Sequence, residues 1–528
     1  LLLLHMACAR LEFRPSPSYE HARLLFRQEL FDQAEAEAKS GFVAAPSGSK
    51  LAWDFQLLDA EILLARGEGK AALDKLSVGP PDKPDLAKEA ARFQYCRGFA
   101  YIQLNQKTDA IECLNRAQVL AEKLASPGSL LGEIELRRAR ISIADGNSDQ
   151  AKLQLRHVIN LAEARHDEVL LMSATGNMGF LFLKAAAFDE AMPWFRQTLN
   201  AAQSLHARKS EALTLGNLGW CYFGLGDLVK ALGLFQQAEA HFTSIGMRAE
   251  SQRWLGSIGD IEENTNQLDA ASRDYAKALA ISRDLGDNDS TAMWLSDLAL
   301  VSIQRRNWGD AERYNNEAAS LYEHAHDPAL QYTMLNSGFI AAGRNQFKAA
   351  EESFRKVVQS HPKDTALLLD SHLGLAGAYL AEHRETLAEQ EFQIALQVIV
   401  SNQAKIADEQ NKLTWFSTVI RFYQQYVEFL MSRGKRDEAL EVAESSRGRV
   451  LSSRMELPQS QKRFATRDLQ KLSATSGSTL LIYWVTPNKS YAWAVSGSSI
   501  HCFPLPDLQD LSNKIDQYNK LIQASQDP

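Results

Sequence analysis

The sequence has 528 residues, with 57 Lys+Arg against 65 Asp+Glu, a formal charge of −8, 45% hydrophobic and 23% charged residues. This mild acidity, with no long basic block, argues against a dedicated nucleic-acid binder, whose footprint is a basic patch. Length alone predicts three or four domains of about 100–200 residues each, unless a repeat spreads one architecture over the chain.

The chain opens Leu1-Leu2-Leu3-Leu4-His5-Met6-Ala7-Cys8, and this reads in two ways. Residues 1–19 are either the remnant of an export or lipoprotein signal, which would place the chain outside the cytoplasm or tie it to a membrane through a lipid on Cys8, or part of an ordinary helix in a cytoplasmic protein. A lipid anchor is the one membrane contact expected, because no internal apolar run reaches the roughly 18 residues that a spanning helix needs. Cys8, Cys96, Cys113, Cys221 and Cys502 form no CxxC pair and no metal-ligand spacing. Neither a disulfide framework nor a metal or cofactor site is expected from them.

From residue 20 to 452 the sequence repeats. Counting from Gly219, a bulky residue follows at three (Tyr222), Ala at twelve (Ala231), a bulky residue at sixteen (Phe235) and a small one at nineteen (Ala238). The same spacing fits Gly98 with Tyr101, Ala110, Leu114 and Ala117, and Gly179 with Phe182, Ala191 and Phe195. It fits Gly259 with Ala271, Tyr275 and Ala278, Ala299 with Ala311 and Ala318, Gly338 with Ala350 and Phe354, and Ala376 with Tyr379, Ala388, Phe392 and Ala395. Weaker copies start at Ala22, Ala60, Ala139 and Val427, so about eleven units follow one another at steps of 38 to 41, with a last step of 51.

Within a unit, apolar residues recur at three and four, as at Leu228, Ala231, Leu232 and Phe235, which puts them on one helical face. Gly226-Asp227, Asp145-Gly146 and Gly309-Asp310 read as the turns between paired helices. Small anchors let the two helices approach, bulky residues fill the groove between neighbours, and stacked pairs bury what one pair cannot. The pattern resembles the tetratricopeptide repeat (TPR), in a form with a period near forty. The resemblance implies an all-α, right-handed superhelix of helical hairpins whose concave groove binds a protein or peptide.

Two positions before the anchors stand Asn177, Asn217, Ser257, Asp297 and Asn336. In the asparagine-ladder superhelices that such repeats resemble, this place holds an extended peptide's backbone by donating and accepting through the amide. Asn177, Asn217 and Asn336 are therefore the candidate peptide-binding residues, with capping or helix-to-helix bonding as the alternative. Phe180, Trp220 and Phe339, one position after the anchor, are candidates as groove aromatics or as core. Asp260, Asp297, Glu262 and Glu263 either make the middle of the groove acidic or form a solvated face, the second being the preferred reading.

After the repeats, residues 453–477 form a polar connector with a short helix around Thr466 to Leu472. Thr479 to Thr486 and Ser490 to Ser496 read as a hairpin around Pro487-Asn488, and Ser499 to Phe503 as a third strand that Pro504-Leu505-Pro506 ends. Leu508 to Ala524 reads as an amphipathic helix. Three strands and one helix are too little to hide Leu480, Ile482, Trp484, Trp493 and Val495, so residues 478–528 are expected to be the first part of a larger α/β domain. Arg447-Gly448-Arg449-Val450-Leu451, Leu480 to Val485 and Ser490 to Val495 resemble the entry to the CHAT domain, a caspase-like peptidase module often found behind TPR arrays in bacteria. No residue of the chain matches that family's catalytic His or Cys motif, so no catalytic residue is assigned.

Direct tests for chemistry are negative. His501 and Cys502 are strand neighbours that point to opposite faces and cannot form a dyad. His324 and His326 are two apart and share no helical face. Gly67-Glu68-Gly69-Lys70 lacks the spacing of a phosphate loop. The sequence thus reads as a non-catalytic TPR scaffold for a protein or peptide. The alternative is the recruitment or sensor region of a CHAT-type cysteine peptidase, active or degenerate.

Overall fold

The computed structural model describes residues 18–402, 409–454, 465–486, 489–506 and 508–526. The readings of Cys8, of residues 1–17 and of the Pro487-Asn488 turn lie outside the described residues, as do the side chains of Arg447 to Leu451. The chain divides into two compact bodies, Leu1–Asp287 and Asn288–Pro528.

The first body is all helical: α1 (Tyr19–Arg27) and α2 (Phe31–Ala44), α3 (Lys50–Arg66) and α4 (Gly69–Lys75), α5 (Ala87–Gln103) and α6 (Lys107–Glu122), α7 (Leu130–Ala144) and α8 (Ser148–Arg165). It continues with α9 (Glu168–Lys184) and α10 (Phe188–Ser204), α11 (Arg208–Gly224) and α12 (Leu228–Ser244), α13 (Arg248–Asn264) and α14 (Leu268–Leu285). The second body begins with α15 (Asn288–Gln304) and α16 (Trp308–Ala325), α17 (Leu330–Gly343) and α18 (Phe347–Gln359), α19 (Thr365–Ala381) and α20 (Glu385–Asn402), α21 (Glu409–Ser432) and α22 (Arg436–Arg454). It ends with α23 (Thr466–Ser476), β1 (Leu480–Trp484), β2 (Ser490–Val495), β3 (Ile500–Leu505) and α24 (Leu508–Gln526). Both bodies are stacks of TPR-like helical hairpins, the second carrying a small sheet.

The repeat spacing is explained by contact. A Cβ placed on Gly98, Gly179, Gly219 or Gly259 would stand 2.6 to 2.9 Å from the side chain sixteen residues on, namely Leu114, Phe195, Phe235 or Tyr275. Only a residue without a side chain admits that approach. Twelve residues past each of the eleven anchors stands an alanine, from Ala34 to Ala439, and each has no exposed surface. The break between paired helices also keeps time: seven residues past each anchor the backbone is left-handed, at Glu29, Gly67, Asn105, Gly146, Ala186, Gly226, Asn266, Arg306, Asn345, His383 and Gly434.

Two expectations need correction. Gly309-Asp310 is not the turn of its unit, because both lie in the first turn of α16; the break is at Arg306, and Asn307 caps the helix by accepting from the Asp310 amide. Glu262 is not on a solvated face: it occupies the bulky place three past Gly259 and is 7% exposed. Asn315 fills the bulky place sixteen past Ala299 as a buried polar residue, its amide donating to the Thr333 carbonyl and the Ser337 hydroxyl at 2.9 Å each.

The sheet is antiparallel in the order β1-β2-β3, with Ile482 opposite Trp493 and Trp493 opposite Cys502. Its inner face is not left uncovered as the sequence suggested. Ile482, Trp493 and Val495 belong to the same core as Phe422, Tyr426 and Leu440 of the last hairpin, and Lys489 pairs with Glu428 at 2.6 Å. Strand β3 also runs past Phe503 through Pro504 to Leu505. At the edge of a sheet a proline costs no ladder bond.

Candidate binding cavity in the first body

The first helices of six successive hairpins, α1, α3, α5, α7, α9 and α11, line one cavity of about 1000 Å³. The second helices contribute only near their ends, at Phe31 and Arg165. Helices stacked this way turn one face inward, and in α5 that face is Arg92, Tyr95, Phe99 and Gln103, residues three and four apart.

The two ends of this run meet. Glu29, in the left-handed break after α1, accepts from the Ser210 amide at 2.7 Å and from the Ser210 hydroxyl at 2.6 Å. Beside it Lys209 donates to the Ala65 carbonyl at 3.1 Å and lies 5.8 Å from the Phe31 ring centre. Burial raises the Glu29 carboxyl above its usual range, and the Ser210 bonds pull against that. Six hairpins thereby enclose the cavity.

Its wall is rich in charge. Across α1, α3, α5 and α7 runs a ladder in which Glu61 pairs with both Arg23 and Arg92, and Arg92 reaches Glu133 at 2.8 Å. Burial alone would push the Glu61 carboxyl up, but Arg92 and Arg23 together outweigh it and hold it at about 2. Arg66 is taken by Asp32 and Glu35, and Arg165 donates to the Gly128 carbonyl. Arg137 lies flat over Phe99, 3.6 Å from the ring centre, and donates its Nε to the Tyr95 hydroxyl at 3.1 Å. Arg140, one turn further along α7, is exposed and has no hydrogen-bond or ion-pair partner among the described residues; partial desolvation, then the Arg137 charge, lower its pKa.

The family described as the MalT-like TPR region matches residues 132–445, more than half of the chain. The chain belongs to this MalT-like TPR family. Among curated proteins none matches. Solved structures similar to this MalT-like TPR chain include a Rap protein complexed with Competence and Sporulation Factor, at 13% identity over 66% of this chain and 97% of that one, TM-score 0.43. The apo form of RapI is similar at 11% identity over 77% and 99%, TM-score 0.48. A STAND protein with a tetratricopeptide repeat sensor, PH0952 from Pyrococcus horikoshii, is similar at 13% identity over 73% and 55%, TM-score 0.47.

Within this MalT-like TPR array the candidate residues fall in different settings. Asn177 is half-buried and its amide donates to the Ser173 carbonyl of its own helix at 2.6 Å. Asn217 is half-buried and Phe180 is 46% exposed. Asn336 is 5% exposed. Trp220 packs on Phe223 and Phe235, and Phe339 on Phe354, with ring centres 5.2 to 5.4 Å apart. None of the six lines the cavity. Five of the residues that do line it occupy the same two places in other copies of the repeat: Arg137 two before its anchor, and Arg23, Glu61, Phe99 and Arg140 one after theirs.

Elsewhere, the tested chemistry finds no support. Cys96, Cys113 and Cys221 are buried, Cys502 faces the core while His501 is exposed, and His326 caps α16 in the left-handed conformation. Among the described residues no cluster of His, Cys, Asp or Glu could hold a metal, and no helix is long and apolar enough to cross a membrane.

Proposed function

We propose that the chain is a non-catalytic scaffold that holds a protein or peptide segment on the inward faces of its first helices. The observation that carries this reading is the cavity of about 1000 Å³ built almost wholly from those helices. It is at the upper end of sites that take small molecules, and it combines aromatic walls with unpaired donors, as an extended peptide requires. Asn177, Asn217 and the exposed Phe180 continue the same helical faces and are proposed as further peptide contacts. Asn336, Trp220 and Phe339 enter only as supports of that face.

Selection of phage-displayed random peptides on the full chain, followed by hydrogen exchange of the best binder's complex, tests this. Protection is expected in α5, α7 and α9, and Asn177→Ala with Asn217→Ala weakens binding without loss of helicity. Failure to select any sequence, or protection confined to second helices, would sink the reading.

A second reading takes residues 478–528 as the opening of a CHAT-like domain for which the array recruits substrate. It is favoured by the outer face of the sheet, where Leu481, Tyr483 and Phe503 are 60%, 49% and 52% exposed. An apolar face of this kind is a packing surface. Labelling of the protein from its native host by a cysteine-directed peptidase probe supports this reading, and its absence removes it.

A further inference from the structure

We propose that the cavity of the first body is a receptor for a single carboxylate of its peptide ligand, seated between Arg137 and Arg140. This rests on the peptide-binding reading and narrows it to a ligand chemistry.

Among the described residues eight cations line the cavity, of which Lys209 is held by the Ala65 carbonyl and Arg27 is an exposed residue at the last turn of α1. Arg23, Arg92, Arg66 and Arg165 are occupied by Glu61, Glu133, Asp32, Glu35 and the Gly128 carbonyl. Arg137 spends one donor, its Nε, on Tyr95, and the face of its guanidinium on Phe99. Its terminal nitrogens, and every nitrogen of Arg140, have no acceptor among the described residues. Residues three apart on a helix share a face, and like charges there repel. The chain carries a charge of −8, yet it lines the cavity with two neighbouring arginines, the half-buried Arg137 and the exposed Arg140, that have no acidic partner among the described residues. Phe99 and Tyr95 fix the first of them in one orientation, so the site is set before a ligand arrives.

The wall decides which anion fits. A guanidinium fork matches the two oxygens of a carboxylate. Glu29, Glu61, Glu133, Asp167 and Glu168 also line the cavity, and Glu61 and Glu133 already neutralise Arg23 and Arg92, which are therefore not free to take further negative charge. A ligand with a single carboxylate is matched by the pair Arg137 and Arg140. Tyr95, Phe99, Leu136 and Met172 supply apolar wall beside it, which suits the side chains of a short peptide.

The test uses the full chain and three fluorescein-labelled pools of random hexapeptides lacking internal Asp and Glu. One ends in a free carboxylate, one in a carboxamide, and one is amidated with a single Asp added; each is compared also as unlabelled competitor, so that the label's own negative charge is common to all measurements. Fluorescence polarisation should show both carboxylate pools binding about tenfold or more tightly than the neutral pool, a margin of one lost charged contact. Added salt should shrink the margin. Arg140→Gln and Arg137→Gln should each remove it with an unchanged far-ultraviolet spectrum, and Arg140→Lys, which keeps charge without the fork, should keep part of it. Equal affinity for all pools, or an intact margin in Arg140→Gln, overturns the carboxylate assignment while peptide binding stands. Displacement by inorganic phosphate as effective as by a carboxylate peptide also overturns it. No binding of any pool overturns both readings of the cavity.

Discussion

Gly219 packs against Phe235 so closely that a Cβ on it would lie 2.6 Å from the ring. The ring cannot retreat, because Trp220 and Trp254 hold it at centre distances of 5.2 and 5.5 Å. Gly219→Ala should therefore destabilise the first body by about 1–3 kcal/mol, the usual cost of overpacking. Urea unfolding checks it: a lower midpoint at unchanged slope is expected, and an unchanged midpoint would show that the aromatic cluster yields.

That contact is also why the array was legible. Close approach favours Gly or Ala, which stand at ten of the eleven anchors, and the filled groove favours a large residue sixteen later, so packing writes its own period into the chain. The cavity was not legible in the same way. Its lining comes from six helices between Arg23 and Leu213, and the enclosure depends on Glu29 meeting Ser210 across 181 positions, which no local pattern records. The repeat places of Asn177 and Phe180 are held by Arg137 and Arg140 in one other copy, and that of Phe180 by Phe99 in a second, and it is these copies that line the cavity. Burial of Trp493 was illegible for a similar reason: its cover is the last hairpin, distant in sequence from the strand.

Ala186 sits at φ 53° in the break between α9 and α10, where most other units have Gly, Asn or another residue tolerated there. A left-handed residue with a Cβ costs about 1–2 kcal/mol, and glycine does not pay it. Ala186→Gly should raise stability by about 1 kcal/mol, less the added freedom of the unfolded chain. Thermal unfolding of the two proteins side by side reads the difference; a drop would mean that the methyl group contributes packing.

Glu262 stands in a place that the repeat fills with bulky side chains elsewhere, beside Tyr275 and close to Asp274. Burial, then the Asp274 charge, raises its carboxyl to about 7. The folded protein therefore holds this proton at pH values where the unfolded chain, with a pKa near 4.3, has lost it. By linkage stability falls as pH rises from about 4.3 to 7 and is lowest above that. Glu262→Gln should remove this slope, so the variant's advantage in melting temperature should grow between pH 5 and pH 8. A constant difference across that range would place the proton elsewhere.

Glu61 has the opposite sign. Its carboxyl is held at about 2 by Arg92 and Arg23 against the effect of burial. The stabilisation is complete above the unfolded pKa near 4.3 and is lost as pH falls toward 2. Glu61→Gln leaves Arg23 and Arg92 without their shared partner, and removing one member of a buried pair costs about 3–5 kcal/mol. The variant should unfold at lower urea at pH 7, and the gap to the parent should close in acid. A gap that persists at pH 2 would assign the loss to packing instead of charge.

The contact that closes the cavity should behave as a local event. Ser210 gives Glu29 two hydrogen bonds, one from the backbone and one from the hydroxyl, and Ser210→Ala removes the second while the first stays. Glu29→Ala removes both and leaves the Ser210 amide to water. Hydrogen exchange in α1 and α2 should quicken modestly in the first variant and strongly in the second, because Glu29 lies in the break between these two helices and ties them to α11. Exchange in α12, inside the array, should not change in either. If α12 quickens to the same degree, the contact supports the whole body cooperatively and the cavity does not open by release of its first hairpin. If α1 is unaffected, packing of Ala22, Phe55 and Leu58 alone fixes that hairpin, and the enclosure of the cavity owes nothing to Glu29.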